Sequence, residues 1–284
     1  MLQKTRDENN MNNRPFLKWA GNKYRIINLI QSTLVPGKRL VEPFVGSGAL
    51  FLNTNYDEYL LCDTNEDLIN LYNLLKQDGL EFIKYANYYF RGNHNNPETY
   101  YKRRALFNST KDIRKKSALF IYLNRHCYNG LCRYNSKGGF NVPFGRYKKP
   151  YFPKDEMLFF SQKAQKATFK KQGFNASLAD TSNGDVVYCD PPYYPLSSSS
   201  NFTTYSAGGF KLKEQQELAS LAKSVSEQGI TVAISNHDTE HTRALYAKAS
   251  NIKSFHVRRY ISCIGKQRTT VEELIATYSK ACKT

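Results

Sequence analysis

The sequence is poor in acidic residues, histidine and tryptophan. Only 24 Asp and Glu stand against 41 Lys and Arg, which gives a formal net charge of +17. The five His residues show no metal-ligand spacing and the six Cys residues are scattered, so neither a metal site nor a disulfide framework is indicated. No apolar run approaches the ~20 residues that span a bilayer, and the polar N-terminus lacks the apolar core of a secretory signal. We therefore expect a cytoplasmic protein with reduced thiols, no metal and no membrane association.

What the chain has in excess is positive charge, and most of that charge lies in one segment. Residues 97–154 carry 14 Lys and Arg against 2 acidic residues, together with twelve Phe and Tyr. Basic side chains interleaved with aromatic rings are typical of a nucleic-acid-binding surface, where cations meet phosphates and rings stack on bases. A membrane surface is the alternative, but it requires an amphipathic helix, and this segment is rich in turn signals.

The pattern of apolar runs predicts an α/β protein. Strands are expected at residues 40–45, 59–62, 185–189, 230–235, 254–259 and 271–278. Helices are expected at residues 49–52, 66–76, 155–166, 212–227 and 238–249, with mainly helical character from 79 to 125. The early alternation of strand and helix indicates a doubly wound parallel sheet. The Gly138-Gly139 pair predicts the tip of a β-hairpin.

A basic insertion therefore interrupts the sheet. We expect a flexible tail at 1–13, a catalytic domain formed by 14–78 and 167–284, and a recognition insertion at 79–166. Residues 196–209, rich in Ser and Thr, are expected to form a loop.

The most specific motif is Asp190-Pro191-Pro192-Tyr193, which follows the apolar strand 186–189. A carboxylate and a neighbouring carbonyl can accept hydrogen bonds from an exocyclic amine, and the Tyr ring can stack on a flat base. The two prolines restrict the backbone of such a loop. The alternative is a structural turn after a strand. This motif predicts a site for a base that carries an amino group.

A second motif, residues 42–48, has Gly46 and Gly48 between a strand and a helix, which suits close approach of a ligand to the backbone. Asp63, at the end of the next strand, can take two ribose hydroxyls. The third glycine of a dinucleotide fingerprint is missing, and Glu42 would repel a pyrophosphate, which disfavours a nicotinamide dehydrogenase. A cofactor with a sulfonium and an ammonium group, such as S-adenosylmethionine, fits better.

At these residues the chain resembles a known family, the Dam-type DNA adenine-N6 methyltransferases. The similarity runs from about Arg14 to Tyr278, with the cofactor loop first, the recognition insertion second and Asp-Pro-Pro-Tyr third. The stretches that carry it are residues 16–23, 40–48, 123–133, 139–153, 186–193 and 235–239. The resemblance implies a Rossmann-like S-adenosylmethionine-dependent methyltransferase sheet with an inserted, mainly helical DNA-recognition domain that contains a β-hairpin.

The resemblance also implies roles for individual residues. Catalysis would fall to Asp190, Pro191, Pro192 and Tyr193, with Tyr193 stacked on a flipped adenine. The implied cofactor contacts are Trp19, Ala20, Gly21, Lys23, Phe44, Asp63 and Asp190, to which the motif adds Glu42, Gly46 and Gly48. The implied DNA contacts are Lys18 and Arg133 on guanine, Leu131 and Pro143 on thymine methyls, Tyr128 and Asn129 around the displaced base, and Arg146 on a phosphate.

The implied activity is methyl transfer from S-adenosylmethionine to adenine N6 in duplex DNA, in the sequence GATC, with S-adenosylhomocysteine as product. We expect a monomer on double-stranded DNA, with more than one copy per duplex as an alternative. Three other functions stay open: an adenine methyltransferase of different site specificity, a methyltransferase acting on RNA adenine or a glutamine side chain, and a catalytically silent DNA-binding regulator. Asn in place of Asp190 is usual in the RNA and glutamine families, and intact Asp190, Tyr193, Gly46 and Gly48 disfavour a silent regulator.

Overall fold

The computed structural model describes residues 12–193, 210–258 and 270–280. One sheet runs through these residues in the order β3-β2-β1-β4-β5-β7-β6. The strands are β1 Arg39–Glu42, β2 Glu58–Asp63, β3 Ala167–Lys171, β4 Asp185–Cys189, β5 Thr231–His237, β6 Asn251–Arg258 and β7 Thr270–Tyr278. The helices are α1 Ile27–Gln31, α2 Ala49–Asn53, α3 Glu66–Asn87, α4 Pro97–Ser109, α5 Ile113–His126, α6 Lys154–Lys163, α7 Phe174–Ala179, α8 Leu212–Glu227 and α9 Glu240–Leu245.

The strand order changes direction between β1 and β4. β1 pairs in parallel with β2 on one side and with β4 on the other, and β7 runs antiparallel between β5 and β6. In open α/β sheets, a crevice forms at the carboxyl ends of the strands where the order reverses, and ligands bind there. The predicted Rossmann-like fold class is confirmed, and the reversal places the loops after β1 and β4 side by side.

Two apolar layers cover the sheet. On one face, Phe160 of α6 packs against Phe16 at a centroid distance of 5.2 Å, against Phe51 at 5.6 Å and against Tyr72 at 4.6 Å. On the other face, α7 and α8 cover β1, β4 and β5. Phe160 therefore attaches the end of the expected insertion to the core of the sheet.

The loop after α5 forms the expected β-hairpin as a very short pairing. Tyr134 and Phe140 form an isolated antiparallel bridge at its tip, and a second bridge joins Cys127 and Phe144. Asn135 donates its N–H to the Gly139 carbonyl at 2.9 Å, and Asn141 donates to the Arg133 carbonyl at 3.1 Å. Both backbone groups of Phe140 bond instead to the side chain of Asn108 on α4, at 2.8 and 3.1 Å. Of the two glycines at the tip, only Gly138 has a positive φ, +77°.

The predicted bounds were most accurate for elements with a clear apolar pattern. The bounds of β4 and α8 match the sequence prediction, whereas β3 and α7 were not foreseen. α3 continues past the predicted end at 76, across a kink at Gly79, whose φ is +42°. The predicted loop at 196–209, the residue at 259, and Cys263 and Cys282 lie outside the described residues.

The predicted N-terminal tail is described only at its end. Asn13 donates its backbone N–H to Asn53 at 2.7 Å and accepts a bond from the same side chain at 3.0 Å. The carbonyl of Asn12 accepts a bond from the Tyr24 hydroxyl at 2.8 Å. These two residues are therefore attached to the folded chain.

Candidate active site

The loop after β1 is fixed from its neighbour β2. Val45 donates its N–H to the carbonyl of Cys62 at 2.9 Å, and Gly46 donates to Oδ2 of Asp63 at 3.2 Å. The other oxygen of Asp63 accepts from the N–H of Asn65 at 2.9 Å. Burial raises the pKa of Asp63, and these backbone donors oppose the shift. Asp63 therefore fixes the position of Gly46 in the loop after β1.

Trp19 lies directly against Gly46. A Cβ added to Gly46 would come within 2.8 Å of the indole Nε1, and the φ of Gly46 is +47°. The carbonyl of Gly46 accepts a 2.5 Å bond from the buried Tyr72 hydroxyl. Gly48, with φ of +71°, precedes α2. Two of the predicted cofactor residues, Trp19 and Gly46, are thus in contact, and only glycine fits at position 46.

Glu42 ends β1 as a buried carboxyl group, 3% exposed. Its Oε1 has no hydrogen-bond partner among the described residues, and the backbone N–H of Phe51 bonds to the group. Burial and the nearby Asp190 raise the pKa of Glu42 to about 8. A buried acidic oxygen without a donor is costly unless a ligand supplies one.

Asp190 directly follows β4 and pairs with Lys23. The Lys23 Nζ lies 2.7 Å from Oδ1 of Asp190, donates to the Gly21 carbonyl at 2.9 Å, and sits 4.5 Å from the centroid of the Tyr193 ring. Burial raises the pKa of Asp190, and the Lys23 ammonium opposes the shift. The Lys23 amine therefore occupies a position between a carboxylate and an aromatic face.

Tyr193 is held at its hydroxyl and at its ring edge. The hydroxyl donates to Oε2 of Glu273 on β7 at 3.1 Å. The ring of His237, at the end of β5, packs edge-on at a centroid distance of 4.7 Å and an angle of 81°. The carbonyl of Pro192 accepts a 2.9 Å bond from the side chain of Gln215 on α8. The whole Asp190–Tyr193 loop is thus positioned by elements on both sides.

Lys18 joins this site to the insertion. The buried Asn124 of α5 accepts from the backbone N–H of Lys18 at 2.9 Å and donates to its carbonyl at 2.8 Å. A Cβ added to Gly130 would lie 2.4 Å from the Lys18 side chain. The Lys18 Nζ lies 3.7 Å from the centroid of the Tyr147 ring, and burial lowers the pKa of this half-buried amine.

The predicted DNA contacts of the insertion gather around one turn. Tyr128 donates its N–H to the carbonyl of Pro143 at 2.8 Å, and Asn129 has a positive φ of +54°. Tyr128, Pro143 and Arg146 are exposed. Leu131, in contrast, is only 8% exposed, so little of it faces outward.

Arg133 lies on the same loop with its guanidinium exposed. Its Nε donates to Oδ1 of Asn141 at 2.8 Å, which leaves the terminal nitrogens of the fork pointing away from that bond. Asn141 also donates its backbone N–H to the Arg133 carbonyl at 3.1 Å. The Arg133 guanidinium is therefore oriented by its neighbour.

The predicted cofactor residues Ala20 and Phe44 have surroundings different from those of Gly46 and Asp190. Ala20 is exposed. Phe44 stacks on Phe174 at 5.9 Å and meets Phe210 edge-on at 5.6 Å, so it lines the side of the site that faces α7 and α8.

Four residues that position the site were not foreseen: Asn124, Gln215, His237 and Glu273. Asn124 and Gln215 are polar residues inside helical patterns, where most such residues are solvated. Residues 235–239 were singled out only as a stretch that carries the family resemblance, with no role for His237, and Thr239 within them caps α9 by accepting from the Thr242 N–H at 3.1 Å. The one available signal was the position of His237 at the end of a buried strand.

The described part of the chain contains no cluster of His, Cys, Asp or Glu that could hold a metal ion. None of its helices combines the length and apolar character that crossing a membrane requires.

The sequence matches a family model over residues 19–261, that of the D12 class N6 adenine-specific DNA methyltransferases. A DNA adenine methylase of Vibrio cholerae is 49% identical over 267 residues, covering 94% of this chain and 96% of that protein. A DNA adenine methylase of Escherichia coli K12 is 49% identical over 266 residues, covering 94% and 95%. One from Serratia marcescens is 49% identical over 267 residues, covering 94% and 98%. The predicted enzyme class is confirmed: the chain belongs to the D12 class of N6 adenine-specific DNA methyltransferases.

Proposed function

We propose that this enzyme transfers the methyl group of S-adenosylmethionine to N6 of an adenine that is flipped out of duplex DNA, within GATC. The observation that best supports this is the position of the Lys23 amine, 2.7 Å from Asp190 and 4.5 Å from the Tyr193 ring centroid. This contact supports the proposal because it puts an N–H donor within hydrogen-bond distance of the carboxylate and beside the ring, which are the surroundings that the adenine amine would need. A carboxylate beside a ring face is suited to receive that amine while the ring stacks on the base.

The residues around Gly46 fit a cofactor that carries positive charge and no phosphate. Glu42 offers a buried oxygen without a partner in the described structure, and Asp63 and Asp190 add further carboxyl groups. Trp19 over Gly46 forms a flat wall with close backbone access. When bound, S-adenosylmethionine supplies the methyl group, attached to a sulfonium. We assign its contacts to Trp19, Ala20, Gly21, Lys23, Glu42, Phe44, Gly46, Gly48, Asp63 and Asp190.

In this proposal, Asp190 and its loop bind and orient the adenine amine for attack. The adenine amine is a weak nucleophile because its lone pair is delocalised into the ring. Hydrogen bonds from that amine to the Asp190 carboxylate and the Pro191 carbonyl favour a more tetrahedral nitrogen, whose lone pair can attack. Positioning is the main contribution of the protein, and the base leaves the duplex at a cost of a few kcal/mol.

The recognition role falls to the basic insertion. We assign base contacts to Lys18, Leu131, Arg133 and Pro143, space filling around the displaced base to Tyr128 and Asn129, and a phosphate contact to Arg146. Residues 79–166 form the recognition unit in this proposal, and 14–78 with 167–284 form the catalytic unit. We place the enzyme in the cytoplasm, acting on double-stranded DNA as a monomer.

The direct test replaces Asp190 by Ala and measures transfer of labelled methyl from S-adenosylmethionine to GATC duplexes. We expect turnover to be abolished while DNA affinity changes little, because Asp190 touches the amine and not the phosphates. Asp180→Ala is the matched control, since Asp180 is an exposed carboxylate paired with Lys170 at 2.8 Å. Near-normal activity in Asp190→Ala would contradict the mechanism.

A further inference from the structure

The two prolines of the Asp190–Tyr193 loop create a need for an outside hydrogen-bond donor. Proline has no N–H group, so neither Pro191 nor Pro192 can donate to a neighbouring carbonyl. Buried carbonyl groups are nevertheless paired almost without exception. The Pro192 carbonyl obtains its donor from α8, where Nε2 of Gln215 lies 2.9 Å away. Gln215 is fully buried, at 0% exposure, in a helix whose outward positions are polar.

Gln215 is itself held by a second pair of side chains. Its Oε1 accepts from Nδ2 of Asn236 at 3.1 Å and from the Tyr246 hydroxyl at 3.3 Å. Nδ2 of Asn236 also donates to the Tyr246 oxygen at 2.9 Å. Asn236 and Tyr246 are 0% exposed, so these bonds lie out of contact with water.

The direction of every bond in this network is fixed by its two ends. The Pro192 carbonyl can only accept, so Gln215 must present its NH₂ group there and its oxygen to Asn236 and Tyr246. At the other end, Oδ1 of Asn236 accepts from the N–H of His237 at 2.9 Å, and a backbone N–H can only donate. With both ends fixed in this way, these bonds allow one orientation of each amide, which makes the network rigid.

The network contacts the catalytic loop at two adjacent residues, Pro192 and Tyr193. Gln215 bonds to Pro192, and His237, which follows Asn236 in the chain, packs its ring on the edge of Tyr193 at 4.7 Å. Asp190 and Tyr193 lie on either side of the two prolines. A shift of the Pro192 carbonyl therefore changes the distance between the carboxylate and the ring.

We propose that Gln215, relayed by Asn236 and Tyr246, is a positioning residue for methyl transfer, which sets the relative placement of Asp190 and Tyr193 through the Pro192 carbonyl. The inference rests on the proposed roles of Asp190 and Tyr193. Gln215 touches neither substrate nor cofactor in this proposal. Its loss should lower kcat, because displacement of a reacting group by about 1 Å can cost ~100-fold in rate, and leave the KM values for DNA and cofactor nearly unchanged.

The test compares single variants at matched folded fraction, with circular dichroism to measure that fraction. Gln215→Met keeps the length of the side chain and removes the donor, and we expect kcat to fall by about 10- to 100-fold. Tyr246→Phe removes only one hydroxyl of the relay, and kcat should fall by a smaller factor. Tyr278→Phe is the matched control: Tyr278 is 1% exposed in the same apolar layer, and its hydroxyl has no partner among the described residues. We expect that control to keep full kcat.

Gln215→Glu gives a readout that a purely structural role would not produce. A protonated carboxyl can donate to Pro192 and accept from Asn236 and Tyr246, as the amide does, whereas the ionised form cannot donate. Burial raises the pKa of a carboxyl group, so between about pH 8.5 and about pH 6 the kcat of Gln215→Glu relative to the original enzyme should rise. The same ratio for Gln215→Met should stay flat.

Two sets of results separate the possible failures. In the first set, the original enzyme methylates GATC and Asp190→Ala does not. The positioning role is then wrong if the Gln215 and Tyr246 variants keep kcat within about twofold. It is also wrong if the kcat ratio of Gln215→Glu to the original enzyme is flat with pH. If Asp190→Ala stays active, the assigned role of the loop itself is wrong. Should Gln215→Met not fold, Tyr246→Phe against Tyr278→Phe decides between the outcomes.

Discussion

At the scale of single residues, three carboxyl groups lie near the reversal point of the sheet in three different environments. Asp190 faces an ammonium, Asp63 faces two backbone N–H groups, and Glu42 keeps one oxygen without a donor in the described structure. Burial raises the pKa of each of them. Their ionisation is therefore sensitive to whichever cation lies beside them.

The pH dependence of activity should follow the ionisation of Asp190. Its carboxylate must be ionised to accept from the adenine amine, and its pKa is raised, so kcat/KM should be lost as the pH falls through that value. Lys23→Met removes the ammonium that opposes the rise, so the acid limb of the pH profile should move to higher pH. Lys38→Met, which removes an exposed lysine paired with Glu58 at 3.2 Å, should leave the limb in place. An acid limb that moves to lower pH in Lys23→Met would contradict this assignment.

Gly46→Ala should weaken cofactor binding. The new Cβ would lie 2.8 Å from Trp19 Nε1 at a positive φ, and overpacking of this kind costs about 1–3 kcal/mol, which is roughly 5- to 150-fold in affinity if the whole cost falls on binding. Titration calorimetry with S-adenosylmethionine measures the change. Gly92→Ala has the same backbone strain, with φ of +64° and nothing within 4 Å of the new Cβ, and should bind normally. Equal affinities of the two variants for S-adenosylmethionine would contradict the assignment of Trp19 to the cofactor site.

Single residues were predictable when they stood in a motif after a strand. Asp190 and Gly46 could be found this way, because strand ends at one edge of a parallel sheet converge. Gln215 and Asn124 could not, since their importance depends on which carbonyl they face after folding. Lys23 was placed with the cofactor contacts, but its pairing with Asp190 required the tertiary structure.

At the scale of secondary-structure elements, α5 connects the basic insertion to the candidate active site. Residues 117–126 of this helix are buried throughout. Asn124 holds the backbone of Lys18, and Arg125 donates to the carbonyls of Phe16 and Tyr151 at 3.4 and 3.3 Å. The segment that carries Lys18 and Trp19 is therefore fixed from inside the insertion. A helix was predicted here, but its central position was not, because its polar residues resemble those of a solvated face.

The last turn of α5 should make the fold sensitive to acid. His126 is 0% exposed; its Nδ1 donates to the Tyr122 carbonyl at 2.8 Å, and in the neutral ring Nε2 then accepts from Nδ1 of His94 at 2.8 Å. Burial, with His94, Arg103 and Lys18 nearby, lowers the pKa of His126 to about 3. A lowered folded-state pKa means that this stabilisation is present above the unfolded value, about 6.5, and is lost as the pH falls below it.

We therefore expect the contribution of His126 to the free energy of unfolding to fall by about 2 kcal/mol between about pH 6.5 and about pH 5. Urea unfolding at several pH values measures the change, and His126→Gln should show a smaller fall. His256→Gln is the matched control, because His256 is exposed on β6 beside Glu272. A fall of the same size in His126→Gln and in the original protein would show that other groups cause it.

The apolar pattern of an element, rather than its length, decided how well it could be predicted. α8 shows four apolar positions at helical spacing, and β4 is a continuous apolar run, so both were found with their bounds. β3 has five residues, three of them exposed, and such an edge strand gives almost no signal. The kink of α3 at Gly79 and the short length of the hairpin pairing are decided by tertiary packing.

At the scale of the whole molecule, charge and chemistry occupy different parts of the chain. The excess of positive charge lies in residues 97–154, whereas the carboxyl groups of the active site lie at the end of the sheet. The order of motifs made this division predictable, because the sequence returns to the sheet pattern only after the basic segment. The attachment of α6 to the sheet core through Phe160 was not predictable from composition, since charge does not reveal which apolar face a helix buries.

Two exposed arginines of the insertion should affect DNA binding differently. Arg146→Ala should weaken binding to GATC and to unrelated duplexes alike and reduce the slope of log K against log salt by about 1, as expected for one phosphate contact. Arg133→Ala should instead reduce the difference in binding free energy between GATC and unrelated duplexes by about 1–3 kcal/mol. Fluorescence anisotropy over a salt series measures both effects. Lys253→Ala, which removes an exposed charge on β6, should change neither, and identical behaviour of the two arginine variants would contradict their assigned roles.

The central claim is methylation of adenine N6 in GATC, with S-adenosylmethionine as donor. The most direct test offers labelled S-adenosylmethionine and two duplexes that differ only in GATC against GTAC, and locates the label by nucleoside analysis. We expect label on adenine N6 of the GATC duplex alone. Label on both duplexes would contradict the recognition assigned to Arg133 and its loop, and no label on either, with DNA still bound, would contradict the proposed activity itself.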